Sequence, residues 1–295
     1  MSVRVVVVSY FSGAALATFL DSLTAASRDP VEVVVVDNGS TDGAPEAAAA
    51  RPGVTLVRTG ANLGYGRAAN AGAAGAQTDW LLVANPDIVW TPGALDRLLA
   101  AGERWPRAGS LGPAIHTPDG ALYPSARAFP SVGRGIGHAA FGWVWPANPW
   151  TRRYRREVGA PVEGPAGWLS GACLLVRRSA FETLGGFDPA YFMYCEDLDL
   201  GRRLAEAGWL NVHVPSAVVT HLGGHSTRLR SRRMLAVHHR SLYRYLARQY
   251  PGARFAPLRA VLAAGLVARY LLSLAVQPVR EGARPTRRAD LFDAA

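Results

Sequence analysis

Two stretches of this chain decide its fold: Val3-Arg-Val-Val-Val-Val-Ser9 and Val31-Glu-Val-Val-Val-Val-Asp37. Near-continuous β-branched runs of this length are typical of strands that helices cover on both faces. Residues 14–26 lie between the two runs and can form the crossover helix of a βαβ unit. Shorter strands are predicted at 54–58 and 80–84. The alternation predicts an α/β fold with an open, mostly parallel sheet flanked by helices.

Polar residues follow these predicted strands, at the sheet edge where such folds bind ligands. The second strand ends at Asp37, which opens the turn Asp37-Asn-Gly-Ser-Thr-Asp-Gly43. Asn62-Leu-Gly-Tyr-Gly-Arg67 opens a helix predicted over 68–76, and a glycine-rich helix start suits a diphosphate. Asn85-Pro-Asp87 follows the fourth strand, and Thr91-Pro92 predicts the start of another helix. The alternatives are ordinary turns, with glycines that only allow close packing of helix on sheet.

A cluster of three acids lies at a second loop-to-helix junction, in Tyr194-Cys-Glu-Asp-Leu-Asp-Leu200. Carboxylates flanked by apolar side chains are candidates for a general base or a metal ligand. The alternative is that Glu196, Asp197 and Asp199 only favour the positive end of the helix that follows. The acids alone leave both readings open.

Charge divides the chain into two parts. Residues 1–227 carry 18 Arg and 19 acids, a net charge of −1, whereas residues 228–295 carry 14 Arg and 3 acids, a net charge of +11. No secretory signal is expected at the start, because the apolar run of 3–8 is too short for one. The two cysteines, Cys173 and Cys195, favour a reducing cytosol over a disulfide framework.

The basic tail predicts a membrane-associating, amphipathic helical extension. Arg240, Arg244 and Arg248 recur every four residues and should form one basic ridge. The stretch 258–276 is largely apolar but holds Arg259 and Arg269, which favours an interfacial over a spanning helix. The expected partner is an anionic membrane surface bound through residues 228–288, and nucleic acid is not expected. The alternative is a helical pair that packs on the body or on a second copy.

Residues 124–168 interrupt the α/β rhythm and are rich in Pro, Gly, Arg and aromatic residues. A long loop within a compact domain is often functional, and aromatic faces suit sugar rings. The candidates for acceptor contact are Trp143, Trp145, Trp150 and, ahead of them, Trp168. An ordinary hydrophobic lid or a dimer surface is the alternative.

Seven motifs, taken in order, resemble the family-2 glycosyltransferases of GT-A fold, and among them the bacterial rhamnosyltransferases that act on lipid-linked precursors. The motifs are VVVVSY, Asp37-NGSTD, Asn62-LGYG, Asn85-PD, Gly171-ACLLVRR, Gly185-GFD and Glu196-DLD. The resemblance covers residues 3–227. It implies a GT-A domain over 1–227, with a nucleotide-sugar half at 1–115 and an acceptor and catalytic half at 116–227, followed by the tail at 228–295.

The resemblance also implies roles for single residues. Asp197 matches the catalytic base, with Glu196 supporting it. Asp87 matches the last acid of an Asp-x-Asp metal motif, and Asn85 replaces the first acid. A histidine placed like His221 completes the metal site in related enzymes, with Mg²⁺ or Mn²⁺ as the ion. The expected donor contacts are Ser9, Tyr10, Asp37, Asn38, Asn62, Gly64, Arg67, Asn85 and Asp87; the acceptor contacts are Trp168, Gly171 and Glu196; His225, Ser226 and Arg228 are weaker candidates for the metal or a phosphate.

The function implied is inverting transfer of L-rhamnose from dTDP-L-rhamnose to polyprenyl-diphosphate-linked N-acetylglucosamine in cell-wall assembly. The enzyme would act as a peripheral protein on the cytoplasmic face of the membrane, and a homo-oligomer is compatible with the sequence. Galactofuranosyl transfer from a UDP-sugar is the nearest alternative. A catalytically silent nucleotide-sugar-binding subunit and a nucleotidyltransferase are alternatives from other classes.

Overall fold

The computed structural model describes residues 1–130, 161–223 and 232–281, with side chains to residue 275. Its residues separate into two compact units. Of the described residues, the first unit holds 1–129, 161–192 and 196–223, and the second holds 130, Met193–Cys195 and 232–281. The segment Met193–Cys195 therefore belongs to the second unit, although the chain on both sides of it belongs to the first. The domain boundary predicted at 227 stays a prediction.

The first unit alternates strands and helices as the sequence predicts. Its strands are β1 Val3–Ser9, β2 Glu32–Asp37, β3 Val54–Arg58, β4 Trp80–Ala84, β5 Ile88–Trp90, β6 Ala108–His116, β7 Leu122–Tyr123, β8 Ala126–Arg127, β9 Gly164–Ala166, β10 Trp168–Leu169, β11 Cys173–Arg177 and β12 Leu210–His221. Its described helices are α1 Ala14–Ala26, α2 Ala44–Ala49, α3 Tyr65–Ala73, α4 Ala94–Arg104, α5 Arg178–Thr183 and α6 Glu196–Glu206.

The main sheet has the strand order β3-β2-β1-β4-β11-β6-β12-β5. Strands β1 to β4 are parallel to one another, and β6 is parallel to β12. Strand β11 is antiparallel to both β4 and β6, and β5 is antiparallel to β12. The predicted parallel sheet is thus confirmed for the first half of the chain, while the second half is mixed. Because β1 to β4 are parallel, the loops after them lie at one edge of the sheet.

Helices cover both faces of this sheet. Val5 and Val7 of β1 pack into a core with Phe19 of α1 and Leu98 of α4, among others. The alternate residues Val6 and Val8 pack into a second core on the other face, with α3, α5 and α6. Burial on both faces explains why these strands read as unbroken valine runs rather than as an alternating pattern.

Two predicted helix starts differ from the structure. Helix α3 begins at Tyr65 rather than 68, and it needs glycine inside: a Cβ on Gly72 would lie 2.5 Å from Val6 Cγ1 and 2.6 Å from Val36 Cγ2. Helix α4 begins at Ala94, because Gly93 turns the chain at φ 70° before the first helical residue.

The second unit contains two long helices, α7 Arg232–Gln249 and α8 Ala256–Glu281, joined by a 3₁₀ turn at Ala253–Phe255. Arg240, Arg244 and Arg248 are all exposed, as the predicted ridge requires. Residues Ala253–Ala275 are long and apolar enough to cross a bilayer by length and composition alone, with a mean hydropathy of 1.6.

The outer surface of α8 carries no charge between 260 and 275. Its exposed residues, here called the α8 stripe, are Ala260, Val261, Ala264, Gly265, Val267, Ala268, Leu271, Leu272 and Ala275. The two arginines of residues 258–276 do not belong to this stripe. Arg259 donates to the carbonyl oxygens of Tyr250 and Gly252, both at 2.7 Å, and Arg269 is partly buried. Burial lowers the pKa of Arg269. An exposed apolar stripe on a helix of this length is typical of an interaction surface.

Candidate active site

The loops after β1 and β2 form one end of the site. Asp37 ends β2 and is buried, with 7% of its surface exposed. Its Oδ1 accepts hydrogen bonds from the amides of Gly39 at 3.1 Å and Ser40 at 2.7 Å. Ser40 in turn accepts from the amide of Phe11 through Oγ, at 3.1 Å. The carboxylate of Asp37 therefore holds its own turn through one oxygen, and its predicted contact with a nucleotide base depends on the other.

Asn38 ties this turn to the start of α3. Its Oδ1 accepts from the Leu63 amide at 2.9 Å, and its Nδ2 donates to Asn62 Oδ1 at 3.1 Å. Asn62 Oδ1 also accepts from the Gly64 amide at 3.0 Å, and the Tyr65 amide donates to the carbonyl oxygen of Phe192 at 3.0 Å. Three amides that we expected to be open to a diphosphate are thus already bonded within the protein. This corrects the expectation that the helix start is an empty anion cradle.

Two more donor candidates lie beside these loops. Ser9 is fully buried, and its hydroxyl pairs with that of Ser12 at 2.7 Å, so it supports the loop. Tyr10 is 36% exposed and its ring meets Phe11 edge to face at 4.8 Å between centroids. Arg67 donates from Nε to the Pro189 carbonyl oxygen at 2.6 Å. The placement favours Tyr10 for contact with a ligand over Ser9 and Arg67.

Asp87 and His221 meet, as the predicted metal site requires. His221 is the last residue of β12 and pairs in register with Ile88 of β5, next to Asp87. Its Nε2 lies 3.0 Å from Asp87 Oδ1 and 3.4 Å from Asn85 Nδ2. The backbone fixes the pair as well, since the Leu222 amide donates to the Asp87 carbonyl oxygen at 2.9 Å.

The chemistry and spacing of this pair fit a divalent cation. Two adjacent ligands, each about 2.1 Å from one ion and at right angles, are about 3 Å apart. A carboxylate oxygen together with an imidazole nitrogen suits Mn²⁺ or Mg²⁺. Among the residues that the structure describes, no group of three His, Cys, Asp or Glu side chains converges. The further candidates His225, Ser226 and Arg228 lie outside the described residues.

Asp197, the predicted base, sits in the first turn of α6 with both carboxylate oxygens held by backbone amides. Oδ2 accepts from the Gly171 amide at 2.8 Å, and Oδ1 accepts from the Leu198 amide at 2.8 Å. Burial raises the pKa of Asp197, and these amide hydrogen bonds oppose the rise. Because each oxygen keeps another lone pair, a carboxylate fixed in this way can still accept a proton.

Gly171 and Tyr65 complete this arrangement. The Gly171 carbonyl oxygen accepts from the Tyr65 hydroxyl at 2.7 Å, and a Cβ on Gly171 would lie 3.1 Å from Asp197 Cβ. Both backbone groups of Gly171 are therefore used inside the protein, so its role is to position Asp197; this corrects its assignment to the acceptor. Burial, and then the charges of Glu196 and Asp197, raise the pKa of Tyr65, which keeps its hydroxyl neutral.

The same loop links the base to the Asp87–His221 pair. The Asn85 amide donates to the carbonyl oxygen of Ala172 at 2.9 Å, and Ala172 directly follows Gly171. The charge of Asp87 also contributes to the raised pKa of Tyr65. The structure thus brings the two predicted centres together around residues 171–172.

Glu196 differs sharply from its neighbour. It is 7% exposed, and its Oε2 has no hydrogen-bond partner among the described residues. Burial, followed by the nearby charge of Asp197, raises the pKa of Glu196 to about 8. Burial therefore favours the protonated form of Glu196, whereas the amide hydrogen bonds oppose the same effect at Asp197. The contact of Glu196 with an acceptor stays a prediction.

Asp199 is structural, as the helix-start alternative suggested. It accepts from Arg203 Nε at 2.6 Å in a buried ion pair, and Arg203 also donates to the carbonyl oxygens of Leu184 and Gly186.

Trp168 does not offer a face to a sugar ring. It is 8% exposed, lies in β10 against β8, and Arg127 covers its ring at 5.3 Å. Its burial corrects the prediction of an acceptor platform. The other candidates, Trp143, Trp145 and Trp150, lie outside the described residues.

Sequence reasoning missed Tyr65 and Phe11. Tyr65 lies within the Asn62-LGYG motif, but its partner Gly171 is 106 residues away, so no local pattern reveals the contact. Phe11 is 43% exposed with φ 49°, an unusual conformation for an aromatic residue at the end of a strand. An exposed, strained residue beside a ligand-binding edge is a signal that could have been read only from the structure.

Two family models and several curated proteins match this chain. Residues 4–185 match the family model Glycosyl transferase family 2, and residues 153–281 match Glycosyl transferase family group 2. The N-acetylglucosaminyl-diphospho-decaprenol L-rhamnosyltransferase of Mycobacterium tuberculosis is 53% identical over 97% of this chain and 96% of its own length. Rhamnosyltransferase WbbL of Escherichia coli is 43% identical over 28% of this chain and 31% of its own.

Solved structures share the fold at low identity. The mannosyltransferase PcManGT of Pyrobaculum calidifontis, in complex with GDP-Man and Mn²⁺, has a TM-score of 0.57 at 20% identity and covers 99% of this chain and 84% of its own. GalNAc-T7 with UDP, GalNAc and Mn²⁺ also has a TM-score of 0.57, at 18% identity, but this chain spans only 43% of it. These likenesses show the GT-A-like architecture.

Proposed function

The chain belongs to glycosyltransferase family 2, and from this premise we propose that it transfers L-rhamnose from dTDP-L-rhamnose to a polyprenyl-diphosphate-linked N-acetylglucosamine. The sugar and the acceptor are supported by the 53% identity, over 97% of the chain, to the mycobacterial enzyme of that name. The chemistry is supported above all by one observation: both carboxylate oxygens of Asp197 accept hydrogen bonds from backbone amides at 2.8 Å, whereas Glu196 Oε2 has no hydrogen-bond partner among the described residues.

Asp197 acts as the general base of a direct displacement. An acceptor hydroxyl attacks the anomeric carbon of the donor and gives its proton to the Asp197 carboxylate. A new C–O bond forms as the bond to the nucleoside diphosphate breaks on the opposite side, so the anomeric configuration inverts. A general base of this kind contributes about 10²- to 10⁴-fold to the rate.

The residues around Asp197 prepare it for this step. The amides of Gly171 and Leu198 fix both oxygens, and Tyr65 fixes Gly171 through its carbonyl oxygen. The amide hydrogen bonds favour the charged form of Asp197 at the pH where burial favours the neutral form of Glu196. Asp197 is therefore the better placed of the two acids to take a proton from the acceptor hydroxyl.

Asp87 and His221 would hold the divalent cation, through Oδ1 and Nε2. Such an ion offsets the charge that develops on the departing nucleoside diphosphate. This metal site is supported by its two ligand atoms, Asp87 Oδ1 and His221 Nε2, and by the 3.0 Å between them.

We also propose that the enzyme works as a peripheral protein on the cytoplasmic face of the membrane. The uncharged α8 stripe and the exposed arginines of α7 support this, because apolar burial and attraction to anionic lipids add together at an interface. The lipid-linked acceptor resides in the same membrane.

Donor and acceptor assignments are tested by product analysis with purified protein in detergent. dTDP-L-rhamnose, UDP-galactofuranose and GDP-mannose are each offered with N-acetylglucosaminyl-diphospho-decaprenol and Mn²⁺ or Mg²⁺. We expect rhamnosylated lipid and dTDP from the first donor only, and release of diphosphate from none. Equal turnover of UDP-galactofuranose would overturn the donor assignment, and turnover unaffected by a chelator would overturn the metal.

A further inference from the structure

A groove of about 270 Å³ lies between α7 and α8 of the second unit. Ala236 of α7 and Ala263 of α8 leave room for it, and its walls include Leu266, Val267 and Tyr270. Val267 belongs to the exposed α8 stripe, with 57% of its surface exposed, so the groove opens beside that stripe. The volume lies just below the usual range for pockets that enclose a whole small ligand. It suits a segment of a hydrocarbon chain.

One positive charge borders this apolar groove. Among the described residues that line it, Arg240 is exposed and charged, and it belongs to the basic ridge. His239 also lines the groove but is 8% exposed, and burial lowers its pKa, so it stays neutral. Its Nδ1 faces the Leu235 carbonyl oxygen at 2.9 Å, which fixes the ring. The groove therefore offers hydrocarbon walls with a cation at the rim, the complement of an apolar chain that carries an anionic head.

We propose that this groove binds the isoprenyl units nearest to the diphosphate of the lipid-linked acceptor, with Arg240 beside the diphosphate. The proposal rests on the proposed function, because it assumes a polyprenyl acceptor. It adds a binding site for the chain, whereas the sugar reacts at Asp197.

The anchorage of α7 favours the acceptor over an ordinary membrane lipid. Ser241 Oγ donates to the Met193 carbonyl oxygen at 2.8 Å, and the His238 ring meets the Tyr194 ring at 5.3 Å between centroids. The segment Met193–Cys195 leads directly into Glu196 and Asp197 in the chain. The helix that borders the groove is therefore bonded to the residues that precede the base. A lipid bound in the groove therefore contacts a helix that is hydrogen-bonded to the segment directly before Glu196 and Asp197 in the chain.

The test compares two acceptors that share N-acetylglucosaminyl diphosphate but differ in chain: one decaprenyl, and one short and water-soluble. Ala263→Trp fills the groove from α8, and Ala236→Trp fills it from α7. Ala256→Trp, at the exposed first residue of α8 and outside both the groove and the α8 stripe, is the matched control. All measurements use the full chain in detergent micelles, so that binding to a bilayer does not limit the rate.

We expect Ala263→Trp and Ala236→Trp to raise the KM for the decaprenyl acceptor at least tenfold, and to leave the KM for the short acceptor and the donor unchanged. Ala256→Trp should match the wild type. Arg240→Gln should raise the KM for both acceptors, since both carry the diphosphate. Equal effects of the filling variants on both acceptors, or no effect on either, would overturn the proposal that the groove binds the isoprenyl chain.

Binding of decaprenyl phosphate, which needs no sugar transfer, separates this proposal from the proposed function. The filling variants should bind it at least tenfold more weakly than Ala256→Trp does. Equal binding overturns the groove even if the enzyme is a rhamnosyltransferase. Weaker binding supports the groove even if no donor is turned over.

Discussion

Replacing Asp197 with Asn tests the base directly, because the two side chains have nearly the same shape. The amide cannot accept a proton at neutral pH, so the whole general-base contribution is removed. We expect kcat to fall about 10²- to 10⁴-fold, which is a barrier increase of about 3 to 5.5 kcal/mol. Donor affinity should stay within about twofold, because Asp197 takes no part in the proposed metal pair.

The structure also limits the structural cost of this change. Both oxygens of Asp197 accept from an amide at 2.8 Å, and Asn keeps only one such acceptor. Either the Gly171 or the Leu198 amide then faces an NH₂ group, which costs about 1 to 3 kcal/mol of unfolding free energy. The expected increase in the activation barrier is larger than this stability loss over most of its range. The two effects are separated by measuring kcat at a temperature where the variant is folded, because the loss of stability does not lower kcat there.

Asp199→Asn is the matched control, two residues further along the same helix. Asp199 is 4% exposed and pairs with Arg203 at 2.6 Å, so its loss leaves a buried cation. Because Arg203 keeps two carbonyl acceptors, we expect the lower end of the usual cost, about 3 kcal/mol of stability. Its kcat, measured while folded, should stay within about tenfold of wild type.

The assay is release of dTDP in the presence of the lipid acceptor, with thermal unfolding and calorimetric donor binding measured on each protein. The two variants should show opposite losses. Asp197→Asn should lose turnover and keep most of its stability, whereas Asp199→Asn should lose stability and keep most of its turnover. A kcat of Asp197→Asn within tenfold of wild type would refute the base assignment. So would an equal loss of kcat in both variants at the same folded fraction.

Three further changes test other parts of the molecule. Because the pKa of Glu196 is raised from an ordinary 4.5 to about 8, the folded protein holds a proton that the unfolded chain releases in this window, and stability falls as pH rises from 4.5 to 8. Glu196→Gln should lose less stability than the wild type over that range, and the difference between the two proteins should be at most about 5 kcal/mol. Urea titrations at pH 5 and pH 8 measure it, and an equal shift of the unfolding midpoint in both proteins would contradict it. His221→Ala should raise the half-saturating Mn²⁺ concentration at least tenfold, or about 1.4 kcal/mol, and metal titration of turnover checks it. Changing Leu271 and Leu272 to Ser should weaken binding to anionic vesicles about 100-fold, because two exposed leucines lose about 3 kcal/mol of burial; unchanged sedimentation with vesicles would remove the stripe as a membrane surface.

The fold of the first half could be read from the sequence because its signals are local. The valine runs of β1 and β2 and the helix α1 appear where the pattern predicts them, and β1, α1, β3 and β4 have the predicted bounds. The second half was less predictable, because the antiparallel partners of β11 lie far away: Cys173 pairs with Ala84, and Leu175 with Leu111. No local periodicity specifies such pairings.

Parts of the site were predictable for the same reason and others were not. The meeting of Asp87 and His221 follows from a family resemblance, since 134 residues separate them. The environment of Trp168 could not be predicted, because the sequence does not distinguish a tryptophan in a core from one on a surface. Its contact with Arg127 depends on the pairing of two two-residue strands, which is too short to show a pattern.

The two neighbouring carboxyls, Glu196 and Asp197, show why the position of acids at a helix start does not by itself assign their roles. The partial positive charge of a helix N-terminus favours the charged form of both acids, yet burial raises both pKa values. The difference between them comes from direction, since successive helical residues point about 100° apart. Asp197 points to the amides of Gly171 and Leu198, which compensate for lost water, whereas Glu196 Oε2 finds no such donor among the described residues. The amides of Gly171 and Leu198 therefore favour the charged form of Asp197, and Glu196 Oε2 has no such support among the described residues. A base that must be ionised to accept a proton requires amides of this kind.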